Sequence, residues 1–376
     1  MNKKVVILGG GRVGASIAIE LSKQYNVTVA DIDEANLSKL KRCFAINCVH
    51  TDVTHKKKLE TLVADADLVI GAVPGSLGYD VVKKVIEAGK NMVDISFMPE
   101  DAFELDERAK YKNVSVAIDC GIAPGISNMI LGYHYSNMKV NKYECVVGGL
   151  PIEREWPWQY KAVFSPSDVI EQYVRPARFV ENGMQITREA LSDPELIYFK
   201  NIGTLEAWNS DGLRTLLKTM DVPNMIEKTL RYPGTIEYLK VLRESGFFSD
   251  EEIIVNGIKI KPIDVTTKIL QPSWEMKKVE EDFTLLRAKV LGKSGVENVG
   301  YEYLIYDKYD TKSGLHSMSR TTGFACTAVA ELFLESAFAK HGIITPEAIA
   351  GTDGMFTRIM NYLEDRGVEI TVTRLY

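Results

Sequence analysis

Three glycines near the start of the chain follow an apolar strand at a spacing that suits a bound dinucleotide. The run KVVILGGGRVG, residues 4–14, ends in Gly9-x-Gly11-x-x-Gly14. An acidic residue, Asp31, closes the next apolar run, VTVAD, twenty residues after Gly11. This offset is typical of a βαβ unit that binds a dinucleotide. Because the glycines lie between two strands and the acidic residue is in register, the pattern predicts a cofactor site rather than an empty turn.

Each residue of this fingerprint has a separate physical task. Gly9 allows the tight turn, Gly11 lets the backbone approach a pyrophosphate, and Gly14 lets the following helix pack closely on the strand. The helix that starts near Arg12 directs its N-terminal N–H groups at the phosphates. Asp31 is expected to accept hydrogen bonds from ribose hydroxyls and to repel a 2′-phosphate. The sequence therefore predicts NAD in preference to NADP.

Length and composition limit the class of protein. A chain of 376 residues is longer than one hydrophobic core usually serves, so two domains are expected. The net charge of −6 and the lack of a basic run argue against nucleic-acid binding. Because an apolar strand pattern begins within the first residues, we expect no signal peptide. The longest apolar stretch, Gly323–Ala339, contains two glutamates. We therefore expect a buried helix there, no membrane span and a cytoplasmic protein.

Cysteine and histidine usage points to no metal site. The five cysteines are odd in number and form no CxxC pair, which favours reduced thiols. The five histidines are scattered, and the spacing of His50 and His55 does not suit one helical face.

Strand and helix patterns alternate through the first third of the chain. Short apolar runs such as VTVAD, LVIGAVP, NMVDIS and VSVAIDC are separated by helical patterns of about ten residues. This alternation predicts a Rossmann-type α/β fold with a doubly wound parallel sheet. The predicted helices lie near 15–24, 34–43, 56–64, 79–88 and 102–110.

The pattern changes after Gly125. From Lys142 onward the runs alternate and lengthen, and Asn-Gly pairs at 182–183 and 256–257 are typical of hairpin turns. We predict an α+β substrate-binding and dimerisation domain, with a mostly antiparallel sheet, over residues 126–318. Residues 1–125 and 319–376 are assigned to the dinucleotide-binding domain, to which a final strand, EITVTRL, would return. Ser319, Thr321 and Thr322 are suitable N-caps for the apolar helix near 323–339.

Ligands of open α/β sheets bind beyond the carboxyl ends of the strands. Asp52 could pair with the adenine amino group, small residues near Ala72 could pass beneath the inner ribose, and Asp94 could approach the nicotinamide. For both aspartates, simple capping of the strand end is the alternative. The predicted cofactor contacts are Gly9, Gly11, Arg12, Val13, Gly14, Asp31, Ile32, Asp52, Val53, Ala72, Val73, Pro74, Asp94 and Ser96.

The segment DCGIAPGISNMI, residues 119–130, is a further candidate site. Pro124 and Gly125 form a tight loop, and Ser127 or Asn128 can cap the helix that follows. A loop at the carboxyl edge of the sheet faces the reacting end of a bound cofactor. Asp119 could there accept a proton from a reacting ammonium group, or simply hold that group in place.

Several spaced motifs resemble the saccharopine dehydrogenase-like family, and the resemblance covers essentially the whole chain. The motifs are the N-terminal fingerprint, IAPGISN, VGGLP, QYKAVFSPSDVIEQY (159–173), GTLEAWNSDGLRTL (203–216), TLRYPG (229–234) and SRTTGFA (319–325). Among the members, the pattern is most similar to the lysine 6-dehydrogenases. The resemblance also implies a homodimer.

Departures from the family pattern bear on the substrate. Saccharopine reductases of the family carry Asp where Ala123 stands and Cys where Val147 stands, so both positions here lack an ionisable group. Ala123 agrees with the lysine 6-dehydrogenase pattern. Thr235 stands where relatives have the histidine of RYPGH, which puts in doubt any role of a histidine there.

An amino-acid substrate requires a cation for its carboxylate. Among the arginines in or beside the motifs, Arg214 and Arg231 are the best candidates, although a structural ion pair is the alternative for each. Tyr160 and Lys161 could line a pocket for an aliphatic chain and take part in catalysis, or could pack in the sheet of the second domain. The predicted catalytic residues are Asp119, Lys161 and Tyr160, and the predicted substrate contacts are Pro124, Gly125, Arg214, Arg231, Arg320 and Thr321.

The resemblance implies NAD-dependent oxidative deamination of an amino acid, most closely of L-lysine at its ε-amino group. A carboxylate or lysine would serve as the base that deprotonates the ammonium before hydride transfer. Two alternatives remain open at this point. One is a saccharopine or carboxynorspermidine dehydrogenase, and the other is a protein that binds NAD(H) without turnover.

Overall fold

The computed structural model describes residues 3–44, 46–337 and 340–376 and divides the chain into two compact units. The first unit comprises Met1–Ser136 and Ser319–Val368, and the second comprises Asn137–Met318 and Glu369–Tyr376. The chain therefore leaves the first unit, returns to it, and ends in the second.

The secondary-structure elements are numbered in chain order. The strands are β1 (Lys4–Leu8), β2 (Asn26–Asp31), β3 (Asn47–His50), β4 (Leu68–Gly71), β5 (Met92–Asp94), β6 (Ser115–Ala117), β7 (Lys139–Pro151), β8 (Ala177–Glu181), β9 (Met184–Arg188), β10 (Glu195–Phe199), β11 (Gly203–Asn209), β12 (Met225–Arg231), β13 (Ile253–Val255), β14 (Ile258–Ile260), β15 (Asp282–Ser294), β16 (Glu297–Lys308), β17 (Gly342–Ile344) and β18 (Glu369–Arg374). The α-helices are α1 (Arg12–Leu21), α2 (Glu34–Cys43), α3 (Lys56–Val63), α4 (Gly75–Glu87), α5 (Asp106–Tyr111), α6 (Ile126–Tyr135), α7 (Pro166–Val174), α8 (Leu216–Thr219), α9 (Thr235–Glu244), α10 (Pro262–Trp274), α11 (Ser317–Leu334), α12 (Pro346–Ala350) and α13 (Met355–Glu364), with a short 3₁₀ helix at Ala102–Leu105.

The first unit is built on a seven-stranded sheet in the order β17-β6-β5-β4-β1-β2-β3. Every pairing in it is parallel, and helices connect the successive strands. The central strands are continuous apolar runs, and β4 is buried along its whole length, as expected of a parallel sheet covered on both faces. The predicted Rossmann-type parallel sheet is confirmed.

Helix positions in this unit agree closely with the sequence patterns. Helix α2 has the predicted bounds, and α1 begins at Arg12, as the glycine fingerprint predicted, three residues before the helical pattern at 15–24. Helix α4 begins at Gly75, four residues earlier than predicted. Each of these two helices begins four residues after the end of the preceding strand. The side chains of α3, α4 and the sheet form one apolar core that includes Leu8, Leu59 and Val82.

The second unit contains a nine-stranded sheet that is mostly antiparallel, as predicted. The main path is β10-β11-β12-β7-β15-β16-β18, with β8 paired to β12 and to β9. One pairing, β12 with β7, is parallel. The core on one side of this sheet is strongly aromatic and includes Tyr173, Trp208, Phe248 and Trp274.

Both predicted Asn-Gly hairpins are confirmed. The first joins β8 to β9, and the second joins β13 to β14 in a separate two-stranded sheet. Asn182, Gly183, Asn256 and Gly257 all have positive φ, between 51° and 81°. Two positive φ values in succession define the type I′ turn, which explains the Asn-Gly preference.

The unit boundaries differ from the prediction at two places. Helix α6 follows the loop at Gly125 but remains in the first unit, so the change of unit occurs after Ser136. Strand β18 was predicted to return to the dinucleotide-binding domain, and this was wrong, because it belongs to the second unit and pairs antiparallel with β16 at the edge of the second sheet. The strand that returns to the first sheet is β17, which pairs with β6.

The apolar segment near 323–339 forms the buried helix that was predicted. Helix α11 covers Ser317–Leu334, and the last two residues of the predicted segment lie outside the described residues. Across the described ranges, none of the helices combines the length and the apolar character needed to span a bilayer.

Candidate functional site

The glycine turn after β1 has little room for side chains. The N–H of Gly9 donates to the carbonyl of Ala30 at 2.8 Å, and its φ of +106° favours glycine. A Cβ at Gly9 would lie 2.3 Å from the Ala72 carbonyl oxygen, and one at Gly14 would lie 2.1 Å from the Gly9 oxygen. At Gly11 there is no atom within 4 Å of an added Cβ. The turn therefore leaves open space beside Gly11, where a pyrophosphate was predicted.

The acidic residue at the end of β2 is tied to this turn. Asp31 Oδ2 accepts a hydrogen bond from the N–H of Gly10 at 2.6 Å, and Oδ1 accepts one from Asp33 at 2.7 Å. The side chain of Asn36 also approaches Oδ2, at 3.5 Å. The structure thus brings the predicted ribose-binding carboxylate next to the predicted phosphate-binding turn.

Helix α1 begins directly after Gly11, which has no side chain to cap it, so its first N–H groups face the turn. Arg12 and Val13 are its first two residues, and the Val13 side chain is buried. The structure therefore places these predicted contacts at the helix N-terminus, as an anion site requires.

Three further predicted cofactor contacts follow β2 and β3. Ile32 is 69% exposed, which leaves an apolar surface beside the site. Asp52 accepts hydrogen bonds from the backbone N–H and the hydroxyl of Thr54, and these bonds lower the pKa of its carboxyl group. Asp52 therefore forms a local turn, which agrees with the alternative role of capping the strand end. Its contact with adenine stays a prediction. The side chain of Val53 packs in the core.

The segment after β4 lies close to the glycine turn through its backbone. The N–H of Ala72 donates to the carbonyl of Leu8 at 2.8 Å, and its methyl group lies near Gly14. Val73 is buried in the core, and Pro74 directly precedes α4.

Asp94 and Ser96 form a buried turn at the end of β5. Oδ2 of Asp94 accepts hydrogen bonds from the backbone N–H and from the hydroxyl of Ser96, and both residues are almost fully buried. A Cβ at Gly71 would lie 2.0 Å from Oδ1 of Asp94, and one at Gly78 would lie 2.2 Å from the Ser96 hydroxyl. Two glycines thus make room for this turn, which favours the strand-end role over an open nicotinamide contact.

The loop from Asp119 to Gly125 has a conformation that requires particular residues. Asp119 has a φ of 54° and is buried. Gly125 has a φ of +138°, and a Cβ there would lie 1.8 Å from the Gly121 oxygen. The N–H of Gly121 donates to Pro124 at 3.0 Å, and the N–H of Ile126 donates to Gly121 at 3.0 Å. These bonds close the loop on itself at the start of α6.

Helix α11 contributes the last predicted residues of the first unit. Thr322 lies beside Gly121, so this helix passes the loop. Arg320 donates to the carbonyl of Arg366 at 2.8 Å and lies over the Phe324 ring, and Thr321 is buried. The structure therefore places the first turns of α11 against the Asp119–Gly125 loop.

The cap of α11 is not the one predicted. Ser319, Thr321 and Thr322 lie inside the helix, because it starts at Ser317. The N–H groups of Ser317 and Met318 donate to the Asp282 carboxylate at 2.7 and 2.9 Å. Burial, more than any other effect, raises the pKa of Asp282 to about 6. A residue on distant strand β15 thus replaces a local cap.

In the second unit, Arg231 lies in the aromatic core. Its guanidinium is 4.1 Å from the Tyr160 ring centroid, and it donates to the Tyr173 hydroxyl, the Leu230 carbonyl and the Gln172 side chain. Arg231 is 3% exposed. This environment favours a structural role for Arg231 over the predicted contact with substrate.

Tyr160 packs in this core and also lines a surface pocket. It is buried against Trp274 and Arg231, and burial raises the pKa of its hydroxyl well above the ordinary value. The protonated phenol is therefore the form present at neutral pH. Tyr160 packs in the core, which is one of the two roles considered for it, and together with Lys161 it also lines a pocket of about 250 Å³. That this pocket holds an aliphatic substrate chain stays a prediction.

Lys161 is held by two carboxylates that the sequence did not identify. Its Nζ lies 2.8 Å from Glu155 and 2.5 Å from Glu280. Burial alone would lower the pKa of Lys161, but the hydrogen bonds to these glutamates raise it above its ordinary value. A lysine held as an ammonium cannot accept a proton, so the geometry does not favour Lys161 as the base.

Arg214 lies near other arginines rather than alone. Its backbone φ is 52°. Burial is the largest cause of the lowered pKa of Arg175, and the positive charge of Arg214 is the next largest cause. Arg178 makes a bidentate pair with Asp211, with both distances 2.8 Å. Arg175 and Arg178 thus each have a carboxylate partner, Glu171 and Asp211, and the contact of Arg214 with substrate stays a prediction.

The grouping of possible ligand side chains and the burial of two cysteines bear on metal and thiol sites in the part of the chain that the structure describes. There, no three His, Cys, Asp or Glu side chains are grouped as metal ligands would be. Cys120 and Cys326 are fully buried, and burial raises the pKa of each thiol, so neither forms a ready thiolate.

Two family models cover nearly the whole chain. One, described as the saccharopine dehydrogenase NADP binding domain, matches residues 5–117, and another, described as the saccharopine dehydrogenase C-terminal domain, matches residues 121–368. The first range contains the glycine turn and Asp31. The second contains the Gly125 loop, the pocket and α11.

Individual relatives agree with these matches. The chain is 27% identical over 278 residues to the NADP(+)-dependent, L-glutamate-forming saccharopine dehydrogenase of Saccharomyces cerevisiae, covering 70% of this chain and 62% of the relative. It is 29% identical over 289 residues to the protein of that name from Pyricularia oryzae, covering 72% of this chain and 64% of the relative. The chain thus matches less than two thirds of each relative's length.

A solved structure shares the fold. The apo saccharopine dehydrogenase (L-Glu forming) from Saccharomyces cerevisiae superposes with a TM-score of 0.80 at 20% identity, and the match covers 100% of both chains. This likeness shows the fold, and the family models, which match well over half of the sequence, show the family. The chain belongs to the saccharopine dehydrogenase family.

Proposed function

We propose that the protein is an NAD-dependent oxidoreductase that deaminates an amino acid, with L-lysine as substrate at its ε-amino group. The observation that carries the oxidoreductase class is the glycine turn with the Asp31 carboxylate bonded to its Gly10 N–H. Family membership supports chemistry at a carbon–nitrogen bond, because the relatives are named for saccharopine, a secondary amine.

The residues of the turn fit a dinucleotide. The space beside Gly11 is open, and α1 directs its first N–H groups toward it. Asp31 would hold the ribose hydroxyls. When bound, the nicotinamide supplies the hydride acceptor, and the protein supplies binding, orientation and exclusion of water.

The choice of NAD over NADP rests on charge. Both carboxylate oxygens of Asp31 accept backbone hydrogen bonds, so the negative charge is fixed at the end of β2. A 2′-phosphate at this position would meet a like charge, which is unfavourable. The two curated relatives are named as NADP(+) enzymes, so this preference would distinguish the chain from them.

Asp119 is the best candidate for the proton acceptor. Its carboxyl group is buried in the loop that closes at Gly125, beside the first turns of α11. An ε-ammonium must lose a proton before its carbon can release a hydride, and a positioned carboxylate can take that proton. Water then hydrolyses the resulting imine and ammonia leaves.

Two apolar residues favour lysine over saccharopine. Ala123 lies in the Gly125 loop, and Val147 lies on β7 opposite Leu286. Neither can exchange a proton, whereas the saccharopine-type pattern has Asp and Cys at these positions. The acid–base chemistry that joins or splits a secondary amine would therefore lack both groups.

The direct test is a steady-state assay of the purified full chain. We expect L-lysine with NAD⁺ to produce reduced nicotinamide and ammonia, with little rate when NADP⁺ is the oxidant. L-Norleucine, which lacks the ε-amino group, is the matched control and should give none. Absence of reduced nicotinamide with L-lysine from neutral to alkaline pH would contradict the proposal.

Saccharopine oxidation is the second candidate, because the relatives named for it match 70% and 72% of this chain. It predicts that reduced nicotinamide is produced only with saccharopine. In the reverse direction it predicts that reduced nicotinamide is consumed only when an aldehyde and L-glutamate are supplied together. The same assay with saccharopine therefore separates the two candidates. Binding of NADH without turnover of either amine would indicate a non-catalytic protein.

A further inference from the structure

A pocket of about 250 Å³ lies in the second unit beside the segment that follows β7. Three aromatic residues, Trp156, Trp158 and Tyr160, line it. The Trp158 ring packs edge-on against Trp274 at 5.8 Å, so this wall is fixed to the core. Trp156 is 82% exposed, which is unusual for tryptophan and leaves its ring faces accessible.

The segment that carries the exposed tryptophan is held in place. The Nε of Arg154 donates to the Gln159 side chain at 2.6 Å, and its guanidinium lies 4.5 Å from the Tyr232 ring centroid. The N–H of Gln159 donates to the Glu155 carbonyl at 2.8 Å. These contacts make the aromatic wall a formed surface.

The charged residues that line the pocket are two glutamates and two lysines. Lys161 is bonded to Glu155 and Glu280, and Glu280 also lies 3.7 Å from Lys277. Both lysines thus already have carboxylate partners. Glu153 also lines the pocket, and within the described ranges it takes part in no ion pair. One carboxylate is therefore available to a cation, whereas an anion would have to displace Glu155 or Glu280.

We propose that this pocket binds a primary aliphatic amine in its ammonium form. Aromatic faces attract cations and cover alkyl chains, and a nearby carboxylate balances the charge. Trp156 and Trp158 would hold the chain and the ammonium group, and Glu153 would neutralise it. That this amine is the amino-acid substrate rests on the proposed function. That the pocket binds an ammonium group does not depend on the proposed function.

The test measures binding by the full chain without cofactor, so that no turnover is involved. The probes are n-butylamine and L-lysine, with n-butanol as the uncharged control. We expect both amines to quench tryptophan fluorescence saturably and n-butanol to have a much smaller effect. Added salt should weaken amine binding, because the carboxylate is exposed.

Two variants with matched controls locate the site. Glu153→Gln and Trp156→Leu should each weaken n-butylamine binding about tenfold. Glu237→Gln and Tyr198→Leu, at exposed positions elsewhere in the second unit, should leave it unchanged. All four side chains are exposed, so the thermal unfolding temperature should stay the same.

The outcomes separate this inference from the proposed function. If the amines cause no saturable quenching, or if both pocket variants bind n-butylamine as tightly as the unmodified chain, the pocket proposal is overturned even where L-lysine is oxidised. If the amines bind with the expected dependence on Glu153 and Trp156 but no amine is oxidised, the pocket proposal stands and the proposed function fails.

Discussion

The backbone N–H of Gly10 donates a hydrogen bond of 2.6 Å to Oδ2 of Asp31. This bond joins the phosphate-binding turn to the residue that is expected to select the ribose. A charged acceptor makes such a bond stronger than a neutral one. Asp31 therefore supports the shape of the turn, and we propose that it also determines the choice of cofactor.

Substitution of Asp31 should separate these two roles. In Asp31→Asn an oxygen remains to accept the Gly10 N–H, but the negative charge is lost. We expect kcat/KM with NAD⁺ to fall roughly 10–100-fold, since hydrogen bonds to charged groups contribute about 1.5–3 kcal/mol, while the rate with NADP⁺ rises. The control is Asp33→Ala, which removes the cap on the Ala35 N–H and should lower stability without altering cofactor preference. An unchanged NAD⁺ to NADP⁺ ratio in Asp31→Asn would contradict the assignment.

Two glycines of the fingerprint should respond differently to alanine. Gly11 has a φ of −60°, and an added Cβ there meets nothing within 4 Å. Gly11→Ala should therefore keep its unfolding temperature but lose NADH affinity, because the methyl group occupies the space reserved for the pyrophosphate. Gly14→Ala places a Cβ 2.1 Å from a backbone oxygen and should lower the unfolding temperature itself. Thermal unfolding and NADH titration of both variants check this, and tight NADH binding by a folded Gly11→Ala would show that no pyrophosphate lies there.

Local patterns were sufficient to predict the first sheet and both hairpins. Continuous apolar runs, the glycine spacing and the Asn-Gly pairs each depend on residues close in sequence, so the backbone preference was visible in the sequence. The Asp31 site could be predicted for the same reason, since one βαβ unit positions all of its parts.

Contacts between distant residues could not be predicted in this way. Lys161 is paired with Glu280, 119 residues away, and α11 is capped by Asp282, 35 residues earlier. Strand β18 alternates like any edge strand, and only its pairing with β16 assigns it to the second sheet. Arg231 is buried because its guanidinium lies beside the rings of Tyr160 and Tyr173. These residues are distant in sequence, so the residues next to Arg231 do not indicate its burial.

The capping carboxylate of α11 should make stability depend on pH. Burial raises the pKa of Asp282 to about 6 in the folded protein, above its usual 3.8. Between these values the unfolded chain has lost the proton and the folded chain retains it. The free energy of unfolding should therefore decrease by about 3 kcal/mol from this residue as pH rises from about 4 through 6.

Asp282→Asn should remove that dependence. We expect the difference in unfolding free energy between the unmodified chain and the variant to change by about 3 kcal/mol between acid and neutral pH. The variant should become more stable relative to the unmodified chain as the pH rises toward neutral. Urea unfolding monitored across this range measures it. Burial lowers the pKa of His134 to about 4, which acts in the opposite direction, but His134 is present in both proteins and cancels in the comparison. A difference that is constant with pH would contradict the raised pKa.

Arg231 offers a test between a structural role and a substrate contact. Its guanidinium makes hydrogen bonds to α7 and to its own strand while lying over Tyr160, and a lysine ammonium cannot reproduce this planar arrangement. Arg231→Lys should therefore lower the free energy of unfolding by about 2–4 kcal/mol. Below its unfolding temperature the variant should keep the KM of the unmodified chain for the amine substrate. Arg188→Lys, at an exposed position of the same unit, is the control and should change neither quantity. A large increase in KM with undiminished stability would instead place Arg231 in contact with the substrate carboxylate.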